Sequence, residues 1–232
     1  MQPYFLPYIG YFQLINAVDK FVIYDNVKFT KKGWINRNRI LVNGKDEFIT
    51  LPLKKDSDFL NINDRSLANT WKQERKKIIN RITESYRKAP FFSEAYPLFE
   101  KIIMYNNENL FNFILNSVLT LVNYLRLNSQ VIVSSSIPIN HQLKGEDKVI
   151  SICKNQKASI FINPIGGCKL YDQANFRKND IKLLFLEPSL QKYRQYQNDF
   201  IPWLSIIDLL MFNPVSKIKT SLNLASFLDN EK

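Results

Sequence analysis

The residues best suited to chemistry in this sequence are a carboxylate and a pair of glycines, each placed directly after a strand-like apolar run. Asp25 follows residues 21–24, and Gly166 and Gly167 come shortly after residues 158–162. A carboxylate in that place can act as a general base or as a Mg²⁺ ligand, although Asp also caps turns. Adjacent glycines can present backbone N–H groups to a phosphate or a developing oxyanion, and they also serve plain turns. We predict catalytic roles for Asp25, Gly166 and Gly167.

A second set of candidates consists of cations and amides that suit phosphate or carboxylate groups. A guanidinium can bind two oxygens at once, which favours Arg37. The alternative is a basic edge hairpin that discourages aggregation. Lys144 directly precedes a predicted helix, where its side chain and the backbone N–H groups can both bind an anion. The segment that contains Arg37 carries two cations and two amides: Lys31, Asn36, Arg37 and Asn38.

The first fifteen residues are typical of a ligand loop that runs into a helix. Pro3 and Pro7 restrict the chain, and Gly10 permits close backbone approach at the helix start. A helix N-terminus has unpaired N–H groups and a positive dipole end, so an anion can bind there. We expect this helix start to belong to the chemical site.

The elements around these residues alternate between strand and helix, which predicts an α/β fold with a parallel sheet. A helix is predicted over residues 145–157, between two strand runs. Ligands of open α/β sheets collect at the carboxyl ends of strands, so Ser134 to Ser136 are expected near Asp25. The strand runs are 21–24, 130–133, 158–162 and 181–185.

Two segments interrupt this alternation. Residues 34–55 are predicted to be extended, and the Asn43-Gly44 turn signal between apolar runs predicts a β-hairpin. Residues at about 71–127 form a predicted helical insertion within a single domain that spans residues 1–232. Helices are predicted over 71–86, 90–106, 109–127, 204–212 and 216–228.

A series of motifs along the whole chain resembles the landmarks of the WbqC-like family. The resemblance implies a bacterial protein of surface-polysaccharide (O-antigen) synthesis, proposed to be a glycine transferase that acylates an amino sugar. It also implies a sugar pocket near the late motifs, with a helix cap as the alternative role of Ser205. The motifs are Gln2-Pro3-Tyr4-Phe5, Gly10-Tyr11-Phe12-Gln13, Tyr24-Asp25, Trp34 to Asn38, Thr50 to Leu53, Ser134-Ser135, Lys144-Gly145, Ile165-Gly166-Gly167, Leu170-Tyr171-Asp172, Tyr193 to Gln195 and Leu204 to Asp208. The substrate-binding residues implied by these motifs include Gln2, Tyr4, Gly10, Tyr11, Tyr171, Tyr193, Gln195, Ser205 and Asp208.

A weaker likeness links the opening to the nucleotidyltransferase superfamily. Phe5, Pro7 and Gly10 fall near the positions of its Phe-x-Pro-x-x-x-Gly-His motif, with Tyr11 at the histidine position. This likeness guides the fold expectation, a Rossmann-like, mostly parallel sheet with a helical insertion and a β-hairpin. WbqC-like proteins usually have an apolar first strand before Gln-Pro, whereas this sequence begins at Met1. Either that strand is missing or the start is misplaced.

Composition excludes several classes of protein. The sequence has 232 residues, 45% of them hydrophobic, and a net charge of +11, which excludes disordered and fibrous classes and favours an anionic partner. No apolar run reaches the roughly 20 residues that span a bilayer, and no signal peptide is evident, so we expect a cytoplasmic protein. With Cys153, Cys168 and a single histidine, His141, a cysteine- or histidine-rich metal site is excluded. A nucleophilic Cys168 is disfavoured, and His141 is expected at the surface.

These observations lead to one enzyme hypothesis and two alternatives. The enzyme would transfer glycine or a similar small acyl group to the amine of a nucleotide-linked amino sugar. Its acyl donor is left open between an adenylate made from ATP with Mg²⁺ and an aminoacyl-tRNA. The alternatives are a non-catalytic nucleotide-sugar or glycan-assembly binding protein and an RNA-binding module, the latter supported by charge alone. The oligomeric state is left open.

Overall fold

Helices and short strands make up the chain, which the computed structural model describes over residues 1–197 and 199–229. The result is a mixed α/β fold. The helices are α1 Ile9–Asn16, α2 Trp71–Tyr86, α3 Phe92–Ile103, α4 Leu110–Leu125, α5 Gly145–Asn155, α6 Gln173–Arg177, α7 Ile206–Phe212 and α8 Val215–Leu222. The strands are β1 Lys20–Ile23, β2 Arg37–Val42, β3 Lys45–Thr50, β4 Gln130–Val133, β5 Ile160–Pro164, β6 Lys182–Glu187 and β7 Ser226–Leu228.

The strands of the described segments form three small sheets. β1 pairs with β4 in parallel, β2 pairs with β3 antiparallel, and β6 lies between parallel β5 and antiparallel β7. The expected single, mostly parallel sheet is therefore not seen in this part of the chain. One reason is local, because Met1 covers the free edge of β1. Its amino group donates to the Val22 carbonyl at 2.7 Å, and its carbonyl accepts from the Tyr24 N–H at 2.8 Å.

The register of β1 and β4 sets the position of the polar residues that follow them. Lys20 lies opposite Gln130 and Ile23 opposite Val133, so both strands end at the same level. A short 3₁₀ helix, Ser134–Ser136, begins directly after β4. Because the strands run in the same direction, the segments after Ile23 and Val133 emerge at one edge of the pair.

The predicted hairpin is confirmed. Arg37 pairs with Thr50 at its open end, and Val42 pairs with Lys45 at its turn. Asn43 and Gly44 have φ angles of 49° and 77°, which are the positive values that a two-residue hairpin turn of type I′ requires.

The three helices predicted between the hairpin and β4 are also confirmed as α2, α3 and α4. The side chain of Asn109 caps α4 by accepting from the Asn112 N–H at 3.0 Å. The last predicted helix is partly wrong, since α8 ends at Leu222 and a strand follows. In that strand Ser226 pairs with Glu187 of β6, which gives the backbone of this segment hydrogen-bond partners that an exposed helix end would lack.

Candidate functional site

Asp25 is a buried carboxylate at the carboxyl end of β1, with an exposed fraction of 3%. Its Oδ1 atom accepts hydrogen bonds from the Ser134 hydroxyl and the Ser135 N–H, both at 2.9 Å. Its Oδ2 atom accepts from the Asn63 amide at 3.0 Å. The segments that follow β1 and β4 therefore meet at Asp25, as expected from parallel strands that end at the same level.

The surroundings of Asp25 favour its ionised form. Burial by itself raises the pKa of a carboxyl group, but hydrogen bonds from Ser135 and Ser134 outweigh this effect. The pKa of Asp25 therefore lies below its usual value. A fixed negative charge is present at this edge of the strand pair at neutral pH.

Lys148 is a buried lysine on α5, with an exposed fraction of 7%, and its side chain reaches the same edge. The Nζ atom lies 3.4 Å from Asn26 Oδ1 and 5.8 Å from the centre of the Tyr24 ring. Burial lowers the pKa of Lys148, and the negative charge of Asp25 raises it in part. Among the described residues no carboxylate lies within ion-pair distance of this amine, so the charge of its protonated form has no direct partner.

Asn26 connects these groups to the single histidine of the chain. Its Oδ1 atom accepts from Lys148 and lies 2.7 Å from the Ser134 hydroxyl, whose one hydrogen is shared between Asn26 and Asp25, and its amide lies 2.9 Å from His141 Nδ1. Because the amide donates, His141 Nδ1 is the acceptor and its Nε2–H donates to the Ile137 carbonyl at 3.0 Å. His141 is thus held by two hydrogen bonds, unlike the open surface residue expected from the sequence. We refer to Asp25, Asn26, Asn63, Ser134, His141 and Lys148 as the Asp25 cluster.

Helix α5 also links the Asp25 cluster to the segment after β5. Glu146, in its first turn, accepts from the Asp172 N–H and from the Asn175 amide, both at 2.6 Å. Burial and then the nearby Tyr171 phenol raise the pKa of Tyr24, which shows that the two rings share one environment. Tyr171 is thus near the cluster through Tyr24.

The glycine pair lies in a 3₁₀ helix, Ile165–Leu170, that follows β5. A Cβ atom on Gly167 would lie 2.0 Å from Asn163 Nδ2, whereas one on Gly166 would meet nothing within 4 Å. Gly167 is therefore needed for packing, and Gly166 faces open space. No described hydrogen bond joins either glycine to the Asp25 cluster.

The opening residues are packed into the protein, which differs from the expected open ligand loop. Tyr11 has an exposed fraction of 1%, and its hydroxyl donates to the Gln2 carbonyl at 3.1 Å. A Cβ atom on Gly10 would lie 2.4 Å from the Tyr8 ring and 2.8 Å from Pro188. Gly10 thus permits close packing within the chain, and the buried first turn of α1 leaves no open anion site there.

A separate cavity of about 290 Å³ lies beside this packed segment. Most of its walls are aromatic side chains, and Arg39 is the one cationic side chain that lines it. Asn38 contributes to the wall while its amide donates to the carbonyls of Phe5 at 3.0 Å and Leu6 at 2.8 Å. We call it the aromatic cavity, lined by Tyr4, Tyr8, Trp34, Asn38, Arg39, Pro188 and Trp203.

The other predicted cations and amides are dispersed. Lys31 forms an exposed ion pair with Asp58 at 2.6 Å, and the Asn36 amide donates to the Leu51 carbonyl at 2.9 Å. Lys144 is exposed directly before α5. These residues do not meet in one site.

Arg37 stabilises the turn that precedes β2. Its Nε–H donates to the Gly33 carbonyl at 3.1 Å, a second guanidinium nitrogen donates to the Lys32 carbonyl, and the group lies 4.4 Å from the centre of the Phe48 ring. The predicted clamp on a diphosphate would require Arg37 to exchange these contacts for a ligand.

The late family motifs form a buried network around Asp208, whose exposed fraction is 0%. Asp208 Oδ1 accepts from the Tyr86 hydroxyl at 2.8 Å, and Oδ2 accepts from the Tyr193 hydroxyl at 2.6 Å and from the Gln195 amide at 2.8 Å. Burial raises the pKa of Asp208, although these three donors oppose the effect. With its oxygens occupied and no solvent access, Asp208 stabilises the core and does not face a sugar pocket.

Ser205 has the capping role considered as its alternative. Its hydroxyl accepts from the Ile207 N–H at 3.3 Å at the start of α7 and donates to the Leu6 carbonyl at 2.8 Å. It therefore joins α7 to the opening segment beside the aromatic cavity.

Sequence reasoning missed several members of these sites. Lys148 had a usable signal, since it lies four residues before Ile152 on a helix and thus on its apolar face. Asn26, Asn63 and Tyr8 carried no local signal, because their roles depend on contacts between distant segments.

The cysteines and the possible metal ligands add little to the chemistry of the site. Burial raises the pKa of the Cys153 thiol to about 11, so it is a poor nucleophile at neutral pH. Within residues 1–197 and 199–229, no three or more His, Cys, Asp or Glu side chains are grouped to bind a metal ion. In the same part of the chain, no helix combines the length and the apolar character needed to cross a membrane.

Comparison with known proteins gives a family match over nearly the whole chain. A model described as the WbqC-like protein family matches residues 2–220. The chain is 26% identical over 218 residues to the protein named Uncharacterized protein Rv1507c of Mycobacterium tuberculosis (strain ATCC 25618 / H37Rv). The aligned region covers 90% of this chain and 90% of that protein. No solved structure gives a significant match.

Proposed function

We propose that this chain, which belongs to the WbqC-like protein family, is an acyltransferase of bacterial surface-polysaccharide (O-antigen) biosynthesis. In this proposal it transfers glycine or a similar small acyl group to the amine of a nucleotide-linked amino sugar. The observation that carries the proposal is the position of Lys148, a buried amine with a lowered pKa, beside the ionised Asp25 at the carboxyl ends of β1 and β4.

Amide formation requires the acceptor amine to lose a proton before it attacks the acyl carbon. We assign the role of base to Lys148, because burial lowers its pKa towards the range that proton transfer requires. Asp25, predicted from sequence as the base, already accepts three hydrogen bonds and has a lowered pKa, so we assign it to stabilise the lysine once the lysine is protonated.

The remaining roles concern the acyl carbonyl and the phosphates. Gly166 stays the proposed oxyanion donor, because it lies at the start of a 3₁₀ helix and faces open space. Gly167 keeps that turn in place. Lys144 is the proposed phosphate ligand best placed for this site, since it is exposed and directly precedes α5, the helix that carries Lys148. Lys31 and Arg37 keep weaker proposed roles, because both already have partners.

The acyl donor is proposed to be either ATP with Mg²⁺ and free glycine or a charged tRNA, both of which place the reaction in the cytoplasm. A tRNA donor would suit the exposed cations Lys72 and Lys76 of α2, which have no described ion-pair partner. The salt dependence of tRNA binding would measure how many such cations contact phosphates.

The experiment that tests this proposal follows the mass of a nucleotide-linked 4-amino sugar incubated with the protein. One reaction contains glycine, ATP and Mg²⁺, and the other contains precharged glycyl-tRNA alone. A glycyl mass gain in either reaction identifies the donor. If neither reaction gives a gain while the sugar nucleotide still binds, the transfer proposal is wrong.

A second candidate function is a non-catalytic nucleotide-sugar or glycan-assembly binding protein. The aromatic cavity favours the glycan-assembly form of this candidate, because its walls combine aromatic rings with one guanidinium and its volume of about 290 Å³ suits one sugar ring. This candidate predicts saturable binding without turnover in every donor reaction.

A further inference from the structure

Two of the aromatic rings that line the aromatic cavity are nearly perpendicular to each other. The rings of Tyr8 and Trp203 lie 5.8 Å apart with an interplanar angle of 80°, and Trp34 forms part of another wall. Trp34 and Trp203 have exposed fractions of 39% and 38%, which is high for the largest apolar side chain. Neighbouring exposed indoles around a concavity are typical of a binding site.

The walls are fixed before any ligand arrives. The missing side chain of Gly10 lets the Tyr8 ring pack directly against the backbone of α1. The Ser205 N–H donates to the Arg39 carbonyl at 2.9 Å, which joins the segment after Trp203 to β2. Trp203 itself has a φ of 60°, a strained value for a bulky residue that is found most often at functional sites.

Arg39 supplies the charge of the cavity and has unused donors. Its guanidinium lies 5.6 Å from the centre of the Trp34 ring, and one Nη atom pairs with Asp46 at 2.9 Å. The Nε atom is buried and makes no hydrogen bond in the described part of the chain. The other Nη atom makes no hydrogen bond in the described part of the chain, so it is the donor left for an anionic group.

We propose that the aromatic cavity binds the ring of an anionic monosaccharide, such as a sugar phosphate or a sugar acid. The apolar C–H face of a pyranose packs on an indole, and its anionic substituent accepts hydrogen bonds from Arg39. A volume of about 290 Å³ is at the small end of ligand sites, which suits one ring and not a whole nucleotide sugar. This proposal does not depend on acyl transfer at the Asp25 cluster.

Two other ligand classes fit the cavity less well. A nucleobase stacks best between parallel rings, but the Tyr8 and Trp203 rings are nearly perpendicular. A cationic ligand would meet the positive charge of Arg39, which disfavours an aromatic cage for ammonium groups. Uridine monophosphate distinguishes the nucleobase from the sugar in the experiment below.

The test uses the tryptophans of the chain as reporters. Trp34 and Trp203 line the cavity, whereas Trp71 is buried against Phe113 at 5.3 Å between ring centres. We expect glucose 1-phosphate and glucuronate to change the fluorescence of the protein saturably, and Trp71→Phe to keep that response. Trp203→Leu should abolish it, and saturation-transfer NMR on the same sugars would detect binding that leaves fluorescence unchanged.

The role of Arg39 is tested by substitutions of two arginines that each pair with a carboxylate of β3, Arg39 in β2 and Arg81 in α2. Arg39→Met should weaken binding of glucose 1-phosphate by about tenfold, the contribution of a charge-assisted hydrogen bond, and leave methyl glucoside binding unchanged. Arg81→Met removes a surface arginine that pairs with Glu47, and it should leave both affinities unchanged. Inorganic phosphate or uridine monophosphate binding as tightly as glucose 1-phosphate would overturn the sugar assignment, and so would no binding by either method.

Discussion

The Nζ atom of Lys148 lies 3.4 Å from the Oδ1 atom of Asn26, at the outer limit of a hydrogen bond. The lysine is therefore buried next to a neutral amide and is not neutralised by direct contact with a carboxylate. Such a position favours the uncharged amine. The surroundings of Lys148 in the Asp25 cluster therefore lower the pKa of its amine, which favours proton transfer, and they reduce the stability of the folded protein.

Replacing Lys148 with methionine should leave the protein as stable as before or make it more stable. Methionine has a side chain of similar length, and it removes the desolvation free energy of a buried charge that has no direct ion pair. Urea denaturation at pH 7 measures this, with Lys154→Met on the exposed face of α5 as the control. A loss of more than about 1 kcal/mol in the free energy of unfolding would show that Lys148 is a structural residue.

Asp25→Asn should destabilise the protein at neutral pH by about 1 to 3 kcal/mol, because an asparagine N–H₂ group would face one of the donors that now bind the carboxylate. The loss should depend on pH. The pKa of Asp25 is lowered in the folded protein, so its contribution is present above the unfolded value of about 3.9 and disappears as the pH falls through the folded value.

Unfolding curves for both proteins between neutral pH and about pH 2.5 check this expectation. The difference between the two should shrink in the acid range. A constant difference across that range would mean that the Asp25 charge does not contribute.

The two adjacent glycines should respond differently to alanine. A Cβ atom on Gly167 would displace the Asn163 amide, which donates to the Pro164 carbonyl at 3.2 Å, so Gly167→Ala should cost about 1 kcal/mol of stability. Gly166→Ala meets open space and should change stability by less than about 0.5 kcal/mol. Equal melting temperatures for the two variants would contradict the packing described for the 3₁₀ helix.

Only part of this arrangement could be predicted from the sequence. The meeting of Asp25 with Ser134 followed from strand ends, since parallel neighbours end at one edge. Asp208 lies in the first turn of a helix, where a carboxylate is usually solvated, and its burial depends on donors from other segments, of which Tyr86 is the most distant in sequence. Trp34 and Trp203 are far apart in sequence, so no local pattern joins them into one cavity.

Tyr193→Phe should destabilise the protein, because the buried Asp208 would lose its donor at 2.6 Å. A hydrogen bond to a charged group contributes about 1.5 to 3 kcal/mol, and its loss should also raise the pKa of Asp208 further. The matched control is Tyr105→Phe, whose hydroxyl has no hydrogen bond in the described residues. Chemical denaturation of the two variants checks the difference, and similar stabilities would argue against the buried network.

The measurement that tests the central claim most directly is the glycyl mass gain of a nucleotide-linked 4-amino sugar with the unchanged protein, Lys148→Met and Lys154→Met. If Lys148 is the base, its replacement should slow transfer by about 100-fold or more, which is the usual contribution of general base catalysis, and Lys154→Met should transfer normally. Folded Lys148→Met protein that transfers glycine at the normal rate would contradict the account.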